Sequence, residues 1–182
     1  MEQAKFRGKY RIASARLPGW DYATAAAYFV TVCTRDRHPF FGHIAHQVMY
    51  RSRLGQMAWD IWDLIPSQFP HCTLDAFVVM PDHIHGILVI GDAGIDRIGR
   101  RDAINRVSTA NTTPGGATQH HNPMLSPHSL SRVIRWYKGR CTHDMHVLRP
   151  DFGWQSRFYD RIIRNEKELE AVRHYIETNP AR

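Results

Sequence analysis

Cysteine is scarce in this chain. There are three, Cys33, Cys72 and Cys141, widely spaced and without a CxxC pair. An odd, dispersed set of this kind argues against a disulfide framework or a structural zinc knuckle and suits a reducing compartment. Long apolar runs are also missing. No stretch approaches the roughly 18 consecutive apolar residues of a spanning helix. The opening MEQAKFRGKYRIASARLPGW has no apolar segment of a secretory signal. These absences lead us to expect a cytoplasmic protein with no membrane partner. No HExxH pair occurs, so a small metallohydrolase using a bound water has little support. Acidic residues are the minority charge: 17 Asp+Glu against 24 Lys+Arg give a net charge of +7. Such an excess suits a polyanionic partner, although a basic surface with no role is an equal reading of charge alone.

At 182 residues the chain has the length of one domain. Residues 1–20 form a basic arm carrying Lys5, Arg7, Lys9, Arg11 and Arg16, a candidate for contact with nucleic-acid backbone or a frayed terminus. Residues 21–182 form the domain, with an insertion at about 92–128. That insertion is rich in Gly, Asn, Thr, Ser and Pro, lacks apolar periodicity, and reads as a long mobile loop.

The β-branched and aromatic run Tyr28–Thr34 predicts a strand. From about His46 to Phe69 the spacing of Leu54, Met57, Ala58, Ile61, Leu64 and Ile65 predicts one long helix. Leu74–Met80 and His83–Ile90, joined by Pro81-Asp82, predict an antiparallel hairpin. Ser126-Pro127 resembles a helix start, and Leu130, Val133, Ile134, Tyr137 and Cys141 form the stripe of that helix. A strand follows within 154–163. Asn165 and Glu168 have the spacing of a capping box for a final helix, which Pro180 closes. The order β-α-β-β-α-β-α is α+β. Its first six elements match the ferredoxin-like split βαβ sandwich, an antiparallel sheet with helices on one face, to which a C-terminal helix is added.

His83-Ile84-His85 is the sharpest chemical feature. Alternation along a strand sends both imidazoles to one face and Ile84 to the other. They are either a pair of metal ligands or two unrelated histidines on a half-buried strand. Tyr175 and Asn179, four apart on the last helix, share one side of it. Tyr175 is either half-buried packing with a wet hydroxyl or a phenol facing the histidines. Tyr159 is a rival tyrosine, and Tyr137 belongs to a core stripe.

Three separated segments carry a family resemblance. Met80-Pro81-Asp82-His83-Ile84-His85-Gly86 resembles the HUH motif (His, hydrophobic, His) of single-tyrosine transposases. The segment from Trp154 to Asn165 is similar to the stretch preceding their catalytic helix, and His174-Tyr175-Ile176-Glu177-Thr178-Asn179-Pro180 to the helix itself. The opening strand with Phe40-Phe41-Gly42 also fits. The branch it resembles most is the REP-associated tyrosine transposases, over most of residues 9–91 and 129–182.

The resemblance implies a metal-dependent single-stranded DNA endonuclease and strand transferase, acting on hairpin-forming repeat DNA in the nucleoid. His83, His85 and Asn179 would hold Mg²⁺ or Mn²⁺. Tyr175 would attack a phosphodiester and form a 5′-phosphotyrosine bond. Arg157, Arg161 and Arg164 are candidates for offsetting phosphate charge. Arg132 and Arg135, with Lys5, Arg7, Lys9 and Arg11 of the arm, are candidates for DNA contact. Asp82 is assigned no role. The protein would act as a monomer or homodimer. The alternative is a non-catalytic protein that binds hairpin or single-stranded DNA.

Overall fold

The computed structural model describes Trp20, residues 22–91 and residues 128–181, with the backbone of two short strands nearer the N-terminus. Those strands, β1 (Lys5–Phe6) and β2 (Lys9–Tyr10), pair antiparallel within the basic arm. Arg7, Arg11 and Arg16 lie outside the described residues, as do residues 92–127 of the expected insertion.

β3 (Ala26–Cys33) is the first strand of the main sheet. It is followed by a small hairpin, β4 (Gly42–Ala45) and β5 (Val48–Arg51). The expected long helix from His46 is corrected here. His46 and Gln47 both adopt positive φ, 49° and 62°, the backbone of a two-residue hairpin turn. Neither residue type advertises that conformation. Helix α1 (Arg53–Asp63) starts only where Ser52 caps it, its Oγ accepting from the Gly55 N–H at 3.1 Å. A separate short helix, α2 (Ile65–Gln68), carries Pro66 in its first turn.

β6 (Cys72–Met80), β7 (His83–Ile90), α3 (Leu130–Met145), β8 (Tyr159–Ile163) and α4 (Glu166–Thr178) complete the domain. The main sheet has the order β6-β7-β3-β8 with every neighbour antiparallel. The crossovers β3-α1-β6 and β7-α3-β8 therefore interleave, as in a split βαβ sandwich. The start of α3 is a further correction. Its cap is Ser129, whose Oγ accepts from Arg132 N–H, and Ser126-Pro127 lies outside the described residues.

Strand alternation decides what each face carries. Tyr28, Val30, Val32, Ile84, Leu88 and Ile90 point to one side and pack with Trp62 of α1 and Val133, Ile134 and Tyr137 of α3. Ala27, Ile87 and Ile163 point to the other, where α4 lays Leu169 and Ile176 over them. The two crossover helices thus share one face, as expected of the sandwich, and the added C-terminal helix covers the other, which is also apolar and must be buried. Gly86 belongs to the first side. A Cβ there would sit 2.4 Å from Trp62 Cζ2, so the missing side chain is what admits the indole. Trp62 stacks on Phe77 at 4.5 Å.

Two polar devices seat α4. Asn165 Oδ1 accepts from Glu168 N–H at 2.9 Å, and Glu168 Oε2 accepts from Arg164 N–H at 3.0 Å, a variant of the expected capping box. Farther along, Arg173 donates from Nε and Nη2 to the two carboxylate oxygens of Asp75, at 2.9 and 2.8 Å. Asp75 sits where the β6–β7 register shifts between Leu74 and Phe77, so the irregularity in β6 presents the carboxylate that holds the helix.

Candidate active site

β7 carries His83 and His85 on the face that α4 covers. Their Nε2 atoms stand 3.0 Å apart. Each ring is held from behind at Nδ1: His83 against Asp82 Oδ1 at 2.6 Å, His85 against Thr31 Oγ1 at 2.8 Å. Thr31 is there because it lies opposite His85 in the β3–β7 register. His85 is buried at 6% exposure, and burial first, then His83 and Arg37, pulls its pKa down to about 3. It is therefore neutral at physiological pH, the state a ligand nitrogen requires.

α4 brings the phenol to this pair. Tyr175 Oη lies 3.3 Å from His85 Nε2. Phe29 forms the wall of the site, stacked on the His85 ring at 5.2 Å and edge-on to Tyr175 at 6.0 Å. Asn179 follows Tyr175 by one helical turn, on the same side of the helix. It is 8% exposed, and its Nδ2 has no partner among the described residues.

The set suits a divalent ion by geometry. Two ligands about 2.1 Å from one ion and about 90° apart stand about 3.0 Å from each other, which is the observed separation of the two nitrogens. Among the described residues no group of three His, Cys, Asp or Glu side chains forms. Asn179, one turn beyond Tyr175, is the residue that the resemblance offers as a third ligand, through its amide oxygen. Imidazole with hard oxygen donors is compatible with Mn²⁺, less with Mg²⁺.

The other candidates are scattered. Tyr159 is paired with Thr31 in the β3–β8 register and is 60% exposed, on the same face as the histidines but across the intervening strand β3. Arg161 pairs with Glu168 at 2.6 Å. Arg157 and Arg164 are exposed around β8. Arg132 and Arg135 are exposed on α3, the layer on the opposite side of the sheet. Tyr137 is a core residue whose hydroxyl donates to Ala58 O at 3.0 Å. Asp82, to which the sequence assigns no role, is bonded to His83, and its Oδ2 pairs with Arg37 Nε at 2.8 Å. Thr31, Phe29, Arg37 and the Asp75–Arg173 pair were also not singled out by sequence. Each gains its place from strand register or helix docking, which local pattern does not report.

Comparisons with known proteins bear on the family and the fold. No family model matches the sequence. The chain is 30% identical over 174 residues to an uncharacterized protein of Haemophilus influenzae, covering 95% of this chain and 90% of that one. The two belong to one family. Among solved structures, the chain is similar to a REP-associated tyrosine transposase bound to a REP hairpin, with a TM-score of 0.57 and 21% identity over 93% of this chain and 73% of that one. That likeness establishes the fold, which this chain shares with that transposase.

Proposed function

We propose that this protein is a divalent-metal-dependent nuclease and strand transferase for single-stranded DNA, with Tyr175 as nucleophile and hairpin-forming DNA as substrate. The observation that carries the reading is the approach of Tyr175 Oη to His85 Nε2, 3.3 Å, with His83 Nε2 a further 3.0 Å away. The transposase structure of the same fold is bound to a REP hairpin, which supports a folded single strand as the ligand. The positive charge of the chain supports a polyanion.

Attack of Tyr175 Oη on a phosphodiester forms the O–P bond of a 5′-phosphotyrosine and breaks the bond from phosphorus to the 3′-oxygen. The phenolic proton leaves to solvent or base, and the departing 3′-oxygen takes up a proton. Reversal by another 3′-hydroxyl joins the strand to a new end, and the phosphotyrosine link conserves the bond meanwhile. A free phenol has a pKa near 10, so attack needs help. A divalent ion, when bound, would supply it as a Lewis acid on the phosphate. His83 and His85, with Asn179, are the residues that would hold the ion. Phe29 fixes the phenol and the imidazole against one another.

The test is incubation with single-stranded hairpin DNA and Mn²⁺, followed by denaturing electrophoresis. The expected result is a protein–DNA adduct stable in SDS, absent with chelator and absent from Tyr175→Phe. An adduct that survives Tyr175→Phe overturns the assignment. Hairpin affinity insensitive to chelator, with no adduct on any hairpin, supports the non-catalytic binding protein instead.

A further inference from the structure

His83 and His85 are alike in their front atoms but differ in what holds them. Thr31, behind His85, has a hydroxyl that both donates and accepts, so it can serve either tautomer of that ring. Asp82, behind His83, is a carboxylate that only accepts. At 2.6 Å it therefore requires a proton on His83 Nδ1. The two ring nitrogens point in opposite directions, so a proton at Nδ1 leaves the Nε2 lone pair facing the gap it shares with His85 and Tyr175.

Asp82 is itself held at three points. Its Oδ2 is paired with Arg37 Nε at 2.8 Å. Its backbone carbonyl accepts from both the N–H and the hydroxyl of Thr34, each at 2.9 Å, and Thr34 is fully buried. Arg37 is fastened in turn, with Nη1 3.0 Å from Cys33 Sγ. Its position has a conformational cost. Asp36 and Arg37 are consecutive non-glycine residues with φ of 54° and 58°, a left-handed stretch that such residues adopt only when the surroundings impose it. That stretch turns the chain after β3 back so that the guanidinium meets Asp82. Because Asp82 bonds the far nitrogen of His83, its carboxylate is directed away from the ion gap and is not itself a ligand there.

We infer that Asp82 and Arg37 are positioning residues: Asp82 sets the tautomer and aim of His83 for metal binding, and Arg37 holds Asp82 in place. The inference rests on the metal-site reading above and gives it an outer layer, an Arg37–Asp82–His83 relay entering from the end of β3. Outer partners of metal-bound histidines typically change metal affinity by about 10- to 100-fold.

The test measures Mn²⁺ affinity by electron paramagnetic resonance titration of the full chain, without DNA, alongside its melting temperature. Wild type binds Mn²⁺ and His83→Ala does not; if wild type does not bind, the metal-site reading falls and takes this one with it. Given wild-type binding, Asp82→Ala is expected to weaken affinity about 10- to 100-fold. Asp82→Asn, which keeps an acceptor for Nδ1–H, recovers most of the loss. Arg37→Met gives a smaller loss than Asp82→Ala. Wild-type affinity in Asp82→Ala overturns the relay while leaving the metal site standing. So does a loss of affinity that merely tracks a loss of melting temperature in every variant. An independent readout needs no variant: ¹H–¹⁵N correlation spectra of the metal-free wild type are expected to assign neutral His83 to the Nδ1–H tautomer. The Nε2–H tautomer overturns the inference.

Discussion

Tyr175 and His85 are 90 residues apart in the chain, and α4 sets the phenol oxygen 3.3 Å from the imidazole Nε2. The contact follows from two independent placements. β7 aims alternate residues at the face that α4 covers, and the Leu169 and Ile176 stripe presses α4 onto that face. Tyr175 rides on the flank of the stripe and so meets the strand at the height of His85.

Tyr175 and the rival Tyr159 can be told apart by substitution. Tyr175→Phe eliminates the covalent DNA adduct, and Tyr159→Phe leaves it. Tyr159 is on the same face but on the far side of β3 from His85. Electrophoresis of both variants with hairpin DNA and Mn²⁺ decides it. An adduct lost in Tyr159→Phe and kept in Tyr175→Phe reverses the assignment.

Acid should weaken the metal-free fold. The unfolded chain protonates His85 near its ordinary pKa of 6.5, whereas burial holds the folded value down to about 3. The contribution is fully present above pH 6.5 and is lost progressively as pH falls toward 3, a loss on the order of a few kcal/mol. Urea denaturation at a series of pH values measures it. His85→Gln is expected to flatten the dependence in this window, and an unchanged slope refutes the assignment.

Arg173 and Asp75 should act through Tyr175. The pair is bidentate but partly exposed, with 30% and 17% side-chain exposure. Breaking it is expected to cost about 1 kcal/mol of stability. Adduct formation should fall further, by about 10- to 100-fold, because a small displacement of α4 moves the nucleophile. Arg173→Ala, Asp75→Ala and the double variant form a cycle in which the double is no worse than either single. Additive losses count against a shared role.

Asn179 sets stability against function. Its Nδ2 is buried without a partner among the described residues, and an unsatisfied buried group costs about 1–3 kcal/mol. Asn179→Ala should leave the melting temperature of the metal-free protein unchanged or higher. The rise in melting temperature that Mn²⁺ produces in wild type should shrink. A full Mn²⁺ response in the variant removes Asn179 from the ligand set.

Gly86→Ala tests the packing behind the histidines. The new methyl meets Trp62 Cζ2 at 2.4 Å, and overpacking of this kind costs about 1–3 kcal/mol. Trp62→Leu in the same chain should recover part of the loss in thermal denaturation. No recovery means that the clash lies elsewhere.

Much of the frame was legible in the residues. The stripe Leu130, Val133, Ile134, Tyr137 and Cys141 is wholly buried as read, β7 runs over the predicted residues, and Asn165 caps α4 through Glu168. These depend on short-range periodicity and capping, which sequence displays directly. The β4–β5 hairpin was not legible. Its turn at His46 and Gln47 lacks the glycine or asparagine that announces positive φ, and the apolar spacing that predicts the helix begins only at Leu54, so nothing in it marked the helix start.

By itself the sequence determined that His83 and His85 share a side of one strand and that Tyr175 and Asn179 share a side of one helix, because strand and helix periods are properties of the local backbone. Only the tertiary structure decided that the two sides face each other, that α4 covers the sheet opposite α1 and α3, and that Thr31, Phe29 and Asp82 lie against the histidines with Arg37 paired to Asp82. Register between strands and the docking of a helix arise from contacts between residues far apart in the chain, and no local pattern carries them.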